Sequence, residues 1–317
     1  MSASGSTPQS PAWGLVLPPA VAPARLWPSV AAAEEGGAGS IWVTDRTVSD
    51  MPWLETMTFL GALAARTARL PIGTSIFALA RRNPVLTAHA FATAQFLSGG
   101  RVIAGIGLGG DRPAEYTLAG AALDRRGRIT DEHIDVMRQL WAGGTVDYAG
   151  EEYSCAGVQL CPQPETRIPI WVGGQSPASF ARAGRSGDGW LPAFLPPEGY
   201  GAAWAHVCES AVAAGRDPGA ITRAVYCLAA IGRKDGDAEA VLDPFLRRVF
   251  GASLEQLSFA CLYGTPDRWA DAIGRFGEAG AEHVLTFLVT EDLPGDVEMV
   301  LNGVLPQLAG SGALAAV

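Results

Sequence analysis

Three short segments of the chain carry residue types that could take part in chemistry. The glycine-rich run Gly105–Gly110 follows an apolar segment, and glycines there let backbone amides approach a phosphate or a flat ring. A second run, Gly-Gly-Gln-Ser-Pro at 173–177, brings free amides and a hydroxyl to the positive end of a predicted helix. Asp45 and Arg46 follow another apolar segment. The first two segments predict anion or ring binding, and the third predicts proton transfer or charge stabilisation.

Each segment also has a simpler structural interpretation. Gly105–Gly110 forms a tight turn in that interpretation, and it does not open a helix as the glycines of a dinucleotide-binding fingerprint do. Ser176 is then a helix N-cap with Pro177 at the first helical position, which is still compatible with a bound anion. Asp45 and Arg46 form a rim salt bridge. Sequence spacing alone leaves both interpretations open.

Eight short apolar runs alternate with alanine-rich segments of helical spacing, which is typical of a parallel α/β fold. Because the runs are continuously apolar, both faces of each strand are expected to be buried. The pattern predicts a (β/α)8 TIM barrel, in which residues just after each strand are the best site candidates. The predicted strands are Trp13–Leu17, Ser40–Thr44, Leu70–Phe77, Val102–Gly107, Ile168–Val172, Gly189–Phe194, Ala224–Ile231 and His283–Val289.

The spacing of the strands predicts an insertion and the limits of the domain. About sixty residues separate the fourth and fifth strands, so this connection is expected to hold a β insertion at Val146–Gln159. Within the same connection, Thr130 is expected to cap a helix that ends at Trp141. Residues 13–308 are expected to form a single barrel domain, with a disordered tail at 1–12 and a C-terminal tail at 309–317.

Composition narrows the class of partner. The 317 residues include 23 basic and 32 acidic side chains, a net charge of −9, which disfavours nucleic acid and anionic membranes as partners. Small-molecule substrates are therefore expected. The five cysteines contain no C-x-x-C pair, which indicates reduced thiols in the cytoplasm without a disulfide framework or zinc site. No metal site or histidine-based triad is indicated.

A set of motifs in fixed order resembles the luciferase-like monooxygenase superfamily, especially its coenzyme F420-dependent oxidoreductase branch. The resemblance extends from Trp13 to about Leu308. The motifs that carry it are AEEGGAGSIWV at 33–43, RLPIGT at 69–74, NP at 83–84, LSGGRV at 97–102, LW at 140–141, GEEY at 150–153, PQP at 162–164, IPIWVGG at 168–174, GDGW at 187–190 and GTP at 264–266.

The resemblance implies a barrel that commonly forms dimers and binds a flavin or deazaflavin across its C-terminal mouth. It implies a non-prolyl cis peptide at Ser75-Ile76 that supports the ring. It further implies that the ribityl chain and phosphate lie near two glycine loops. Leu108 stands where an FMN-using luciferase often has a basic phosphate ligand, which favours coenzyme F420 over FMN. The implied loop residues are Gly107, Leu108, Gly109, Gly110, Gly173, Gly174, Gln175 and Ser176.

One departure from the family concerns the residues after the second strand. Many members have an acidic residue followed by histidine there, whereas this chain has Asp45 and Arg46. The prediction is an oxidoreductase that transfers a hydride between F420 and a small organic substrate, with Asp45 and Arg46 as catalytic candidates. One alternative is an FMN-dependent monooxygenase that uses reduced flavin and oxygen. The other is a flavin-binding barrel without catalysis.

Overall fold

The computed structural model describes residues 10–110 and 112–310. The first strand already begins at Ala12 and the last helix ends at Gly310, so regular structure extends slightly into both predicted tails. The remainder of those tails, residues 1–9 and 311–317, lies outside the described residues. The chain divides into two compact units, one of residues 42–191 and 206–222, the other of residues 1–41, 192–205 and 223–317.

Strands and helices alternate along the described residues as expected. The strands are β1 Ala12–Val16, β2 Ser40–Val43, β3 Ile72–Thr74, β4 Phe77–Ala78, β5 Val102–Gly107, β6 Val146–Ala149, β7 Ser154–Val158, β8 Ile170–Gly173, β9 Gly189–Leu191, β10 Thr222–Ile231, β11 Cys261–Gly264 and β12 His283–Leu288. The helices are α1 Pro23–Glu35, α2 Thr56–Arg66, α3 Pro84–Ser98, α4 Pro113–Leu118, α5 Arg126–Ala142, α6 Pro177–Ser186, α7 Pro197–Ala213, α8 Asp237–Phe250, α9 Leu254–Leu257, α10 Pro266–Glu278, α11 Leu293–Met299 and α12 Leu305–Gly310, with a π-helix at Val300–Val304.

The unit of residues 42–191 and 206–222 carries the strands that precede the candidate site. β3, β5, β8 and β9 are parallel neighbours in that order, with β4 also paired to β5. Their side chains are buried almost throughout, as continuous apolar runs predict. Trp42 and Trp171 pack with ring centroids 5.0 Å apart. A Cβ on Gly73 would lie 2.4 Å from the ring of Trp42, so only glycine fits beside this tryptophan.

The other unit contains a second group of parallel strands, in the order β11, β10, β12 and β1. In the core of this unit Trp13 donates a hydrogen bond to the hydroxyl of Thr286 over 2.8 Å. The indole of Trp269 likewise donates to the carbonyl of Ala230 over 3.0 Å. β11 extends the expected strand pattern, because the short segment Cys261–Gly264 is not among the eight predicted runs.

The connection between β5 and β8 holds the predicted β insertion. β6 and β7 pair as an antiparallel hairpin within Val146–Gln159. The carboxylate of Glu132 in α5 accepts hydrogen bonds from the three consecutive amides of residues 151–153, which fixes the hairpin turn. The expectation for Thr130 is wrong. α5 begins at Arg126, directly after a 3₁₀ turn at Leu123–Arg125, so Thr130 lies fully buried inside the helix.

All five cysteines lie within the described residues, as free thiols. None of the helices within residues 10–110 and 112–310 combines the length and the apolar character that crossing a membrane requires.

Candidate functional site

The peptide bond between Ser75 and Ile76 is cis, as the family resemblance implied. It interrupts the predicted third strand, which the structure divides into β3 and β4. The half-buried side chain of Ile76 lies against the carboxyl ends of β5 and β8. Ile76 thus lies where residues just after the strands of a parallel sheet are expected to form a site.

Two of the predicted site glycines lie directly against Ile76. A Cβ on Gly107 would stand 2.9 Å from Cδ1 of Ile76, and a Cβ on Gly173 would stand 2.8 Å from its Cγ2. Such distances are shorter than carbon atoms tolerate, so the side chain of Ile76 occupies the space that larger residues would need. The ends of β5 and β8 are therefore glycine because Ile76 packs between them.

Ser75 contributes a buried hydroxyl at the same place. Its amide donates to the carbonyl of Val43 over 2.8 Å, which holds the segment between β3 and β4 against the end of β2. The hydroxyl oxygen has no hydrogen-bond partner among the described residues, although Ser75 is only 7% exposed. A buried polar atom without a partner is uncommon in folded proteins and indicates a position that a ligand atom can complete.

The loop after β5 contacts α4 on one side and is exposed on the other. Leu108 is half-buried, whereas Gly109 and Gly110 are exposed. The phenol of Tyr116 donates a hydrogen bond to the carbonyl of Leu108. Gly109 has a φ of +77°, a conformation that favours glycine. The loop therefore presents exposed backbone while its underside is fixed by α4.

The loop after β8 is a capped helix start, which confirms the structural interpretation of Ser176 and Pro177. Ser176 and Ser179 form a capping box, in which the amide of Ser176 donates to Oγ of Ser179 over 2.7 Å. The carbonyl of Gly174 accepts a hydrogen bond from Trp190 over 3.0 Å. Gln175 and Ser176 are exposed above this support. The loop is rigid and polar, and an anion can still bind at this helix start.

Asp45 lies at the centre of a buried ion cluster. Arg82 binds both carboxylate oxygens over 2.8 Å, and Arg81 binds one of them over 2.7 Å. The amide of Ala78 and the hydroxyl of Thr56 donate two further hydrogen bonds to Asp45. Only 1% of its side chain is exposed. The first catalytic candidate therefore anchors the arginines after β4 to the loop after β2.

The environment of Asp45 stabilises its ionised form. Burial by itself raises the pKa of this carboxyl, but the charges of Arg82 and Arg81 and the hydrogen bonds from Arg82 and Ala78 outweigh burial, and the pKa lies below its ordinary value. A carboxylate with a lowered pKa and fully used oxygens is a poor proton acceptor. This geometry favours a structural role for Asp45 over proton transfer.

Glu115 completes the cluster from α4. One of its oxygens accepts hydrogen bonds from the amides of Thr47 and Val48, over 2.8 and 3.0 Å. The other oxygen pairs with Arg81. The side chain of Glu115 is 3% exposed. Two carboxylates and two guanidinium groups thus balance one another in a cluster that is buried except at Arg82, whose side chain is 22% exposed.

The second catalytic candidate, Arg46, contacts an aromatic ring. Its guanidinium lies over the ring of Trp53, with 4.6 Å between Cζ and the ring centroid. Such a cation–π contact orients a guanidinium. The side chain is half-buried in the loop between Asp45 and the amides that Glu115 holds. Arg46 is therefore an oriented positive charge on the same edge as the two glycine loops.

Sequence reasoning missed four residues that organise this site. Arg81 and Arg82 are adjacent and lie just before α3, and two neighbouring guanidinium groups were a visible sign of a nearby acid. Glu115 gave no sign, because its partner Arg81 lies 34 residues away in the chain. Its neighbour Tyr116 was missed because α4, only six residues long, is too short to show a periodic pattern.

Comparison with known proteins places the chain among related sequences and structures. The family model of luciferase-like monooxygenases matches residues 4–257. An F420-dependent glucose-6-phosphate dehydrogenase of Amycolatopsis mediterranei (strain U-32) is 34% identical over 170 residues, which cover 50% of each chain. The chain thus spans about half the length of the curated relatives it matches.

Solved structures match over a longer range. An F420-dependent secondary alcohol dehydrogenase in complex with an F420–acetone adduct has a TM-score of 0.85 and 20% identity, with 95% of this chain and 99% of that chain covered. The oxygenating constituent of a type II Baeyer–Villiger monooxygenase of Pseudomonas putida, in complex with FMN, has a TM-score of 0.73 and 18% identity, with 94% and 99% covered. The fold is therefore the predicted (β/α)8 TIM barrel.

Proposed function

Because the chain belongs to the luciferase-like monooxygenase family, we propose that it is an oxidoreductase of the coenzyme F420-dependent branch and exchanges hydride between F420 and a small organic substrate. One observation carries the proposal. Gly107 and Gly173 both lie against the side chain of Ile76, beside two loops with exposed backbone. This arrangement supplies an apolar platform for a flat ring and polar loops for its side chain.

The residues present fit a deazaflavin. The platform is formed by Ile76, because no side chain on Gly107 or Gly173 covers it. The buried hydroxyl of Ser75 has a hydrogen bond to offer a polar ring atom. The loops at Leu108–Gly110 and 173–176 would hold the ribityl chain and phosphate through exposed backbone and the Ser176 hydroxyl.

F420 supplies the hydride chemistry when it is bound. The chain's own residues orient the reactants, exclude water and balance charge. Arg46 remains protonated at physiological pH, so it cannot abstract a proton. It orients an anionic group of the substrate or stabilises negative charge that develops on it. Asp45 holds the arginines that frame this loop.

FMN-dependent monooxygenation is the second candidate function, since an FMN-bound monooxygenase shares the fold. Leu108 argues against it, because an apolar side chain there adds no charge for the FMN phosphate. Glucose 6-phosphate and secondary alcohols are named for relatives at limited coverage or identity, and they are the first substrates to test. A non-catalytic flavin-binding barrel is the third possibility.

Titration of the purified protein with F420 and separately with FMN, followed by cofactor fluorescence, tests the proposal. We expect F420 to bind more tightly than FMN. Preference for FMN would favour oxygen-dependent chemistry. If the protein bound neither cofactor, the assignment of the two glycine loops to cofactor binding would be wrong. A bound cofactor without turnover on any donor or acceptor would favour the non-catalytic barrel. A homodimer and a cytoplasmic location remain predictions, the first of which light scattering checks.

A further inference from the structure

Two adjacent residues of α4 hold two different loops of the candidate site. Glu115 binds the loop after β2, and Tyr116 binds the loop after β5. Both side chains are buried, Tyr116 with 1% and Glu115 with 4% of the residue exposed. A six-residue helix therefore connects the loop that carries Arg46 to the loop proposed for the cofactor.

The contact made by Glu115 is with the backbone next to Arg46. The amides of Thr47 and Val48 both point at one carboxylate oxygen, so the peptide units that follow Arg46 have a fixed orientation. Arg81 holds the other oxygen and, through its second nitrogen, Asp45. The residues on both sides of Arg46 are thus tied to one buried charge network.

The contact made by Tyr116 is with the carbonyl of Leu108. A Cβ on Gly109 would lie 3.5 Å from the same hydroxyl and 3.0 Å from the Cβ of Ala78. The ring itself packs with Ala80 and Ile129 in a small apolar cluster. The phenol of Tyr116 therefore packs directly against the backbone of Leu108 and Gly109.

We propose that α4 acts as a bracket that fixes the Arg46 loop relative to the cofactor loop, with Glu115 as a positioning residue for Arg46 and Tyr116 as a positioning residue for Leu108–Gly110. The proposal rests on the proposed function for the roles of the two loops. All three groups around Glu115 are donors, so its carboxylate acts by accepting hydrogen bonds and holding backbone, at a distance from the reacting atoms.

Three variants of α4 separate this role from general support of the fold. Glu115→Gln keeps the shape but places an amide against either Arg81 or the two backbone donors. Tyr116→Phe removes only the hydroxyl. Leu118→Ala, at a side chain that is 72% exposed, is the control on the same helix. Hydrogen exchange of the peptide that contains Thr47 and Val48 needs neither cofactor nor substrate.

We expect Glu115→Gln to speed exchange at Thr47 and Val48 by about tenfold or more while F420 affinity stays within about twofold of wild type. Tyr116→Phe should weaken F420 binding several-fold and leave that exchange unchanged. Leu118→Ala should change neither. With a substrate in hand, Glu115→Gln should lower kcat, and it should have little further effect in an Arg46→Ala background.

Unchanged exchange in Glu115→Gln, or equal effects of both variants on exchange and F420 affinity, would overturn the bracket. If Glu115→Gln does not fold, Tyr116→Phe still tests the proposal. An unchanged F420 affinity after loss of the phenol oxygen would contradict the role of Tyr116 in the bracket. Failure of wild-type protein to bind F420 would instead refute the proposed function. In that case the exchange data alone would still establish or refute the role of Glu115.

Discussion

The side chain of Ile76 occupies the space in which a side chain on Gly107 would have to lie, with Cδ1 only 2.9 Å from the ideal Cβ position. A further contact, 3.0 Å from Cγ1, comes from the same side chain. The flexible end of Ile76 would therefore have to move if Gly107 gained a methyl group. Since Ile76 forms the proposed platform for the cofactor ring, stability and cofactor affinity are expected to change together.

Gly107→Ala should lower the free energy of unfolding by about 1–3 kcal/mol, the usual cost of overpacking, and weaken F420 binding. In an Ile76→Val background, which removes Cδ1, the penalty should be smaller. Urea unfolding of the four proteins in this double-mutant cycle measures the coupling. Gly61→Ala is the control, because no atom lies within 4 Å of a Cβ there and alanine is the better helix former. Additive effects would contradict the contact.

Ser75→Ala should affect the cofactor-bound and cofactor-free proteins in opposite ways. Without cofactor, loss of a buried hydroxyl that has no described partner should leave the melting temperature unchanged or slightly raised. F420 affinity should fall about tenfold, as expected for one lost hydrogen bond worth about 1.4 kcal/mol. Thermal unfolding and fluorescence titration measure the two effects. A lower melting temperature with unchanged affinity would show that the hydroxyl serves the fold.

Arg46→Ala should lower turnover by about a hundredfold while F420 affinity stays nearly constant, because the side chain stabilises charge on the substrate. Arg46→Lys keeps the charge but loses the planar contact with Trp53, so partial activity is expected. Arg46→His should make turnover depend on pH near 6.5, the ordinary pKa of histidine. Steady-state kinetics over a pH range check all three variants. Unchanged turnover in Arg46→Ala would refute a role for this residue.

Asp45 should contribute to stability in a pH-dependent way. Its pKa in the folded protein lies below the ordinary value of 3.8, so its contribution is present above pH 3.8 and is lost as the pH falls through the folded pKa. Asp45→Asn leaves two guanidinium groups with less negative charge and should cost about 3–5 kcal/mol at neutral pH. Below pH 3.8 the difference from wild type should shrink.

Urea unfolding at several pH values measures this difference. The control is Glu151→Gln, at a side chain that is 82% exposed, which should change stability by less than about 0.5 kcal/mol. A stability difference between wild type and Asp45→Asn that did not change with pH would show that the variant loses packing and neutral hydrogen bonds. In that case the charge of Asp45 would not contribute to stability.

The sequence was sufficient to predict the succession of the main strands along the chain and the location of the two glycine loops. Val102–Gly107 was predicted with its observed bounds, because a continuous apolar run between turn residues is a strong local pattern. Leu70–Phe77 was predicted as one strand, whereas the structure interrupts it at Ser75 and Ile76, where the cis peptide turns the backbone. Apolar periodicity carries no information about that bond.

The ion cluster could not be predicted from local patterns. Asp45 was chosen because it follows a strand, yet its partner Arg81 lies 36 residues further on and Glu115 another 34 residues away. Only the fold brings these positions together, and their pairing depends on burial that no window of sequence contains. The hairpin at Val146–Gln159, in contrast, was predictable because the length of its connection exceeded what a helix alone requires.

The exact cancellation of charge among Asp45, Arg81, Arg82 and Glu115 also limits how descendants of this sequence can diverge. Loss of the charge at Asp45, Arg81 or Glu115 alone would leave an unbalanced ion among buried side chains. Divergence is therefore expected to proceed by paired replacements, above all at positions 81 and 115. Homologues in which one of these two has become apolar should carry a compensating neutral residue at the other.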